Sequence, residues 1–264
     1  MSNALEKIIA DKKSNIEKYK KSFTIEDLKK KISSYNNYLN FKDKLNQNKV
    51  SVVAEIKKAS PSAGVIVEDY DPRSIAKQYL NSGADCLSVL TEENYFKGKL
   101  EDIIEIKKEI KLPILCKDFF IESYQVYLAR SFGADAILII LSAVSEKTAR
   151  EIYDVAEELN MNTIVEVHTS EEAKNALSFK NAIIGINNRN LKTLKTDIQT
   201  TYDLHKVISD HPGPLICESG IKSEIEVEEI VRKTKINNFL IGESLLKDLG
   251  KNSSLLSKIL QIKA

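Results

Sequence analysis

The chain has 264 residues, and its 39 Lys and Arg nearly cancel its 38 Asp and Glu, which leaves a formal net charge of +1 at pH 7. This balance excludes the strongly basic surface typical of proteins that bind nucleic acid or anionic membranes, so we expect neither partner. No apolar run is long enough for a transmembrane helix, and the N-terminal segment has no signal-peptide core.

Residues 1–48 predict a helical extension ahead of the main part of the chain. The segment is rich in lysine and contains neither glycine nor proline. Apolar residues recur at helical spacing between Leu5 and Tyr19, and Thr24, followed three residues later by Asp27, is typical of a capped helix start. We therefore predict two or three helices packed on the rest of the same structural domain, in preference to a solvated basic arm.

From about residue 50 onward, apolar runs alternate with amphipathic stretches. Runs such as residues 136–141 lack polar alternation, as expected of parallel strands covered on both faces. The stretches between them predict helices; one has Asp71 as its N-cap and Pro72 at its first position. Eight such units predict a (β/α)8 barrel over residues 49–264, and the strand count disfavours the alternative, an open doubly wound sheet. The runs are centred near Ala54, Leu87, Leu115, Leu138, Val165, Ile184, Ile216 and Leu240.

Charged side chains stand at the ends of several of these apolar runs, where packing alone would not place them. The C-terminal strand ends of such a barrel form its active site, and residues two apart on a strand point to the same side. An ion-pair network that only closes the barrel is the alternative, and it explains any single residue as well as catalysis does. One consistent assignment gathers at the barrel mouth Glu55, Lys57, Lys117, Glu166, Asn187, Arg189 and Glu218.

Two further features predict a ligand at this mouth. Gly220 and Gly242 follow the seventh and eighth strands, where such barrels often bind phosphate through backbone N–H groups. Phe96 and Phe119 follow the second and third strands and could form an apolar slot. Leu138 could join that slot, although a plain core position explains it better.

The sequence contains no pattern typical of a metal or cofactor site. The three histidines, His168, His205 and His211, lack metal-ligand spacing, and we expect the last two on the surface. The three cysteines are far apart and lie inside apolar runs, which predicts reduced, packed thiols in a cytoplasmic protein. We therefore expect neither a metal nor a cofactor.

Residues 50–250 resemble indole-3-glycerol phosphate synthase, a barrel enzyme of tryptophan biosynthesis. The N-terminal helices also resemble the extension of that family ahead of its first strand, so the resemblance covers nearly the whole chain. The segments that carry it occur in order and are residues 54–62, 88–96, 115–119, 165–168, 185–191, 217–221 and 240–245.

The resemblance implies a reaction and a role for each matched residue. The substrate would be 1-(2-carboxyphenylamino)-1-deoxyribulose 5-phosphate, which closes to indole-3-glycerol phosphate with loss of carbon dioxide and water. Lys117 would be the general acid and Glu166 the general base. The catalytic network would be completed by Glu55, Lys57, Asn187 and Glu218. The substrate would be bound by Ser60 and Arg189 at its polar groups, by Ser219, Gly220, Gly242 and Glu243 at its phosphate, and by Phe96, Phe119, Leu138 and Leu191 at its ring.

Two other functions remain as alternatives. A Schiff-base aldolase on the same fold would use Lys117 as its nucleophile. A non-catalytic barrel that binds a sugar phosphate would need no acid–base pair, so Lys117 together with Glu166 disfavours it. We expect a monomer, and association with other enzymes of tryptophan biosynthesis stays open.

Overall fold

Eight parallel strands close into a barrel in the computed structural model, which describes residues 4–45, 49–250 and 254–263. Each strand pairs with its neighbours in chain order, and the last pairs with the first. The predicted (β/α)8 barrel is confirmed, the open sheet is wrong, and every predicted run centre falls inside a strand. The strands are β1 Ser51–Ile56, β2 Cys86–Leu90, β3 Ile114–Lys117, β4 Ala136–Ile140, β5 Asn162–Val167, β6 Ile183–Asn187, β7 Leu215–Glu218 and β8 Asn238–Ile241.

Helices precede the barrel and cover its outside. Short 3-10 turns occur at Lys42–Lys44 and Leu141–Ala143, and a two-residue hairpin pairs Ala59–Ser60 with Gly64–Val65 just after β1. None of the helices in the described part of the chain is long and apolar enough to cross a membrane. The helices are α1 Ala4–Ser22, α2 Ile25–Ser33, α3 Pro72–Asn81, α4 Glu101–Lys107, α5 Tyr124–Ser131, α6 Glu146–Glu158, α7 Ser170–Ala176, α8 Gln199–Ile208, α9 Glu224–Thr234, α10 Glu243–Leu246 and α11 Leu255–Ile259.

Polar caps begin the helices where the sequence predicts them. Thr24 and Asp27 form a reciprocal capping box at the start of α2. Asp71 accepts a hydrogen bond from the backbone N–H of Arg73 at the start of α3, directly before Pro72. Each such cap stabilises its helix by about 1 kcal/mol, because it satisfies a backbone donor that the helix itself cannot.

Alternation along each strand divides the apolar residues into two layers. The inner layer fills the barrel with side chains such as Leu115 and Ile216. The outer layer lies between the sheet and the helices and includes Cys116 and Cys217. Because neighbours on a strand point to opposite faces, Lys117 and its counterparts on the other strands face the barrel interior.

The N-terminal extension is packed on the barrel at both ends. Phe41 is fully buried below the strands, where its backbone N–H donates to Oδ1 of Asn162 at 2.8 Å. At the other end, Lys12 of α1 forms a buried ion pair of 2.7 Å with Asp118, the residue after β3. The predicted division near residue 48 lies outside the described residues.

Candidate active site

A cavity of about 690 Å³ occupies the C-terminal end of the barrel. Of the predicted site residues, all but Ser60 line this cavity. The hydroxyl of Ser60 instead accepts a hydrogen bond from the backbone N–H of Ala63 at 3.2 Å, inside the hairpin after β1. The predicted residues that line the cavity are Glu55, Lys57, Phe96, Lys117, Phe119, Leu138, Glu166, Asn187, Arg189, Leu191, Glu218, Ser219, Gly220, Gly242 and Glu243.

Lys117 lies between two buried carboxylates. Its Nζ is 2.5 Å from Oε2 of Glu218 and 3.3 Å from Oε2 of Glu166, and both glutamate side chains are only 1% exposed. Burial alone would lower the pKa of Lys117, but the charges of the two carboxylates outweigh burial and raise it. Lys117 is therefore an ammonium ion at neutral pH.

The two carboxylates around this ammonium are not equivalent. Burial would raise the pKa of Glu166, but the charges of Lys117 and His168 and a hydrogen bond from Asn187 lower it well below its usual range. Burial and the charge of Glu166 raise the pKa of Glu218 in spite of Lys117. Oε1 of Glu218 has no hydrogen-bond partner, whereas each oxygen of Glu166 faces a cation. The pair therefore holds its negative charge mainly on Glu166.

Gly185 on β6 creates the space that Glu218 occupies. A Cβ atom at position 185 would lie well inside 3.0 Å of Oε1 of Glu218, closer than real Cβ contacts come. The inward position next to Glu218 on β6 must therefore be glycine if the carboxylate is to reach Lys117. The sequence alone did not show this role of Gly185.

A second ion pair stands beside the first. Nζ of Lys57 is 2.5 Å from Oε1 of Glu55, and both side chains are nearly buried. A Cβ atom at position 242 would lie well inside 3.0 Å of Oε1 of Glu55, so Gly242 makes room for this pair. Glu243 turns to Lys247, 2.5 Å away, which keeps its carboxylate partly neutralised next to the predicted phosphate site.

The loops after β7 and β8 meet at the predicted phosphate site. Ser219 and Gly220 have φ values of 67° and 86°, in the left-handed region that glycine tolerates best. The hydroxyl of Ser244, at the start of α10, donates to the carbonyl of Ile221 at 2.5 Å and ties the two loops together. Residues of both loops line the same cavity, as the predicted phosphate site requires.

Arg189 spans the cavity rim from β6 to the hairpin after β1. Its guanidinium donates to Oγ of Ser62 at 2.7 Å, and its backbone N–H donates to Oδ1 of Asn187 at 2.9 Å. The second bond leaves the Nδ2 group of Asn187 to face Glu166. A guanidinium at the rim suits a carboxylate or phosphate of the ligand.

An apolar slot lies opposite the ions. The rings of Phe96 and Phe119 are 6.5 Å apart and tilted by 42°. Leu138 and Leu191 belong to the same inner cluster, and Leu138 is only 1% exposed although it lines the cavity. The slot is therefore apolar, as a site for a flat aromatic ring requires.

The structure shows two features of the histidines that the sequence analysis did not predict. The prediction that His211 lies on the surface is wrong, because the side chain is buried. Its Nε2 contacts the carbonyl oxygen of Ala182 at 2.8 Å, which satisfies this polar atom inside the protein. His168 was assigned no role, yet its Nε2 lies 3.2 Å from Oε1 of Glu166. His168 is two residues after Glu166, a spacing that predicts the same side of the strand and is its only signal in the sequence.

Within residues 4–45, 49–250 and 254–263, no group of three His, Cys, Asp or Glu side chains could hold a metal ion. The carboxylates of the cavity surround lysine ammonium groups instead. Acid–base chemistry and charge stabilisation are what this arrangement can supply.

Comparison with known proteins agrees with this geometry. The sequence profile described as indole-3-glycerol phosphate synthase matches residues 5–255. Indole-3-glycerol phosphate synthase from Prochlorococcus marinus (strain MIT 9515) is 43% identical over 253 residues, which cover 93% of this chain and 85% of that protein. The enzyme of the same name from Clostridium acetobutylicum is 41% identical over 246 residues, covering 93% of each.

Solved structures resemble the fold. Tryptophan synthase subunit alpha from Legionella pneumophila aligns with a TM-score of 0.58 at 15% identity, over 99% of this chain and 98% of that one. The Pyrococcus furiosus tryptophan synthase complex contains a chain that aligns with a TM-score of 0.57, also at 15% identity, over 81% and 95% of the two chains. At this identity the likeness supports the barrel fold alone.

Proposed function

Because the chain belongs to the indole-3-glycerol phosphate synthase family, we propose that Lys117 is the general acid and Glu166 the general base of its reaction. The enzyme is a decarboxylating lyase that closes 1-(2-carboxyphenylamino)-1-deoxyribulose 5-phosphate to indole-3-glycerol phosphate. The observation that carries the proposal is a single ammonium group, on Lys117, between two buried carboxylates in the cavity.

The first step of the proposed mechanism uses Lys117 as proton donor. The aromatic carbon that bears the carboxylate attacks the ketose carbonyl carbon, and a carbon–carbon bond forms. The carbonyl oxygen gains negative charge in this step and takes a proton from Lys117. The raised pKa of Lys117 meets one requirement of this role, because the residue is in its protonated form before the substrate reacts.

The later steps use Glu166. Loss of carbon dioxide returns an electron pair to the ring and restores its aromaticity. The new hydroxyl group then takes a proton from solvent and leaves as water, and Glu166 accepts the proton whose loss completes the indole double bond. The lowered pKa of Glu166 supports this role, because a base must start ionised. The opposite pKa shifts of Glu166 and Glu218 beside one lysine leave Glu166 as the carboxylate that is ionised and able to act as the base.

We assign the remaining residues to binding. The slot of Phe96 and Phe119 would hold the aromatic ring, and the loops at Gly220 and Gly242 would bind the phosphate. Lys57 and Arg189 are two of the cations on the cavity wall, and we assign them to the anionic groups of the substrate. Ser60 would act only if its hydroxyl left the hairpin turn, so its contribution stays a prediction.

A fluorescence assay for indole formation from this substrate, without added metal or cofactor, tests the proposal. We expect turnover by the unmodified chain, none by Lys117→Ala although it still binds substrate, and a severe loss for Glu166→Gln with an intact fold. Substantial turnover by Lys117→Ala, or near-normal turnover by Glu166→Gln, would contradict the assigned roles.

The Schiff-base alternative makes a different prediction for the same lysine. A nucleophilic lysine must be unprotonated, and the raised pKa of Lys117 disfavours that form. Borohydride treatment in the presence of substrate would trap a covalent adduct in an aldolase. We expect no adduct, and a mass increase at Lys117 would favour the aldolase.

We further propose that the enzyme works as a cytoplasmic monomer. One chain supplies every cavity-lining residue named above, so the assigned roles need no second copy. The three cysteines are buried and unpaired, which suits a reducing compartment. Sedimentation velocity tests the monomer, and co-sedimentation with other enzymes of tryptophan biosynthesis would reveal an association.

A further inference from the structure

His168 stands directly behind the proposed general base. It follows β5, and its side chain is 10% exposed and does not line the cavity. Nε2 of the imidazole lies 3.2 Å from Oε1 of Glu166, and Nδ1 lies 3.3 Å from Oε2 of Glu172 on α7. The three side chains form a carboxylate–imidazole–carboxylate chain that runs from α7 to the cavity.

We propose that His168 is a positioning residue, whose imidazolium charge keeps the Glu166 carboxylate ionised and oriented during turnover. The inference rests on the proposed role of Glu166 as general base. It adds a residue that does not touch the substrate and that acts on the reaction only through Glu166.

The two oxygens of Glu166 face different cations, and this division carries the proposal. Oε2 faces Lys117 and Oε1 faces His168. When Lys117 gives its proton to the substrate, its charge disappears from one side of Glu166. His168 then remains as the cation beside the carboxylate, at the stage where Glu166 must still accept a proton. Without His168, the buried carboxylate would lose the charge that offsets its burial, and burial favours its neutral form.

Glu218 is a carboxylate in the same cavity that has no contact with His168, and it allows a comparison with Glu166. Its Oε2 also contacts Lys117, but its Oε1 has no hydrogen-bond partner and faces no histidine. Its pKa is raised, whereas that of Glu166 is lowered. His168 contacts Glu166 and not Glu218. Its charge therefore contributes to keeping Glu166, rather than Glu218, in the ionised form.

Glu172 fixes the imidazole in place. Its Oε2 accepts a hydrogen bond from the backbone N–H of His168 at 2.8 Å and also contacts Nδ1 of the ring. Its own backbone N–H donates to Oγ1 of Thr169, the N-cap of α7, at 3.2 Å. The position of the ring is thus set by a helix start, which is a rigid part of the fold.

The contact between the imidazole and Glu166 is one of charge. Nε2 lies within 3.2 Å of the carboxylate but outside hydrogen-bond geometry. Burial would lower the pKa of His168, but Glu166 from β5 and Glu172 from α7 outweigh burial and raise it to about 9. Lys117 of β3 lies 3.3 Å from Oε2 of Glu166, the oxygen that His168 does not contact, and Lys117 also contacts Glu218 of β7.

The kcat of the full chain as a function of pH, measured with the fluorescence assay, tests the role of the imidazolium. In the unmodified enzyme we expect kcat to fall as His168 loses its charge near pH 9. In His168→Gln we expect kcat at pH 7 to be about tenfold lower, with KM within about twofold, and the fall near pH 9 to be absent. His205→Gln, a change on α8 away from the cavity, is the matched control and should leave the profile unchanged.

Glu172→Gln provides a second test that leaves the imidazole in place. Loss of one neighbouring charge lowers the pKa of His168, so the alkaline midpoint of kcat should move down by about one pH unit. A profile of His168→Gln that matches the unmodified enzyme would overturn the proposal, as would an unmoved midpoint in Glu172→Gln. If His168→Gln does not fold, Glu172→Gln decides alone.

Glu166→Gln distinguishes a failure of the role of Glu166 from a failure of the role of His168. Near-normal turnover in that variant would remove Glu166 as the base, and the role of His168 would fall with it. If Glu166→Gln abolishes turnover while His168→Gln keeps the normal pH profile, only the role of His168 is overturned.

Discussion

Gly185 and Glu218 are complementary: the absence of a side chain on β6 is what lets the carboxylate of β7 reach Lys117. A methyl group at position 185 would meet Oε1 of Glu218 well inside 3.0 Å and Cγ2 of Ile164 at 3.0 Å. We therefore expect Gly185→Ala to displace Glu218 and to lower kcat by about tenfold or more, since small displacements of catalytic groups are costly. Steady-state kinetics with a melting curve checks this.

A double-mutant cycle supplies the control for Gly185. Glu218→Ala removes the carboxylate that the new methyl group would displace. If the effect of Gly185→Ala acts through Glu218, the double variant should have the same kcat as Glu218→Ala. A further tenfold loss in the double variant would show that Gly185→Ala disturbs the barrel in another way.

Lys117 should contribute to stability as well as to turnover. Removal of one partner from a buried ion pair typically costs about 3–5 kcal/mol, because it leaves a buried charge without compensation. We expect Lys117→Met to lower the free energy of unfolding by about 3 kcal/mol at pH 7, and Glu218→Gln in the same chain to restore part of this loss. Urea denaturation measures both. A double variant no more stable than Lys117→Met would contradict the shared-cation arrangement.

Much of the site followed from strand periodicity. Alternation with period two placed Glu55 and Lys57 on one face, and it separated Lys117 from Cys116. The barrel itself followed from the count of strand–helix units. Such features depend on local pattern, which the sequence carries directly.

Features that depend on long-range packing were not predictable in this way. Ser60 is close to Lys57 in sequence, but the chain turns into a hairpin before it and takes its hydroxyl away from the cavity. The space provided by Gly185 is visible only when β6 and β7 are side by side. The ion pair between Lys12 and Asp118 joins α1 to the residue after β3, and no local pattern in the sequence connects them.

His168 should make stability depend on pH in the alkaline range. Its folded-state pKa of about 9 lies above the ordinary value of 6.5, so the charged form is favoured by folding. The resulting stabilisation is fully present below pH 6.5, declines between 6.5 and 9, and is lost above 9; its size is about 3 kcal/mol. Thermal unfolding at pH 6 and at pH 9.5 should show this decline, and His168→Gln should show less of it. An equal decline in the variant would assign the effect to other groups.

Lys12 should couple the N-terminal helix to the active site. Its ion pair with Asp118 is nearly buried, and Asp118 also accepts hydrogen bonds from the hydroxyl of Thr91 and the backbone N–H of Phe119. We expect Lys12→Met to lower the free energy of unfolding by about 3 kcal/mol and to raise KM, because Phe119 forms one side of the ring slot. Lys20→Met is the matched control: it removes a partly exposed ion pair of the same helix with Glu122, which should cost less than about 1 kcal/mol and leave KM unchanged. Urea denaturation and steady-state kinetics measure both variants, and equal effects would show that α1 acts on the slot without the Lys12–Asp118 pair.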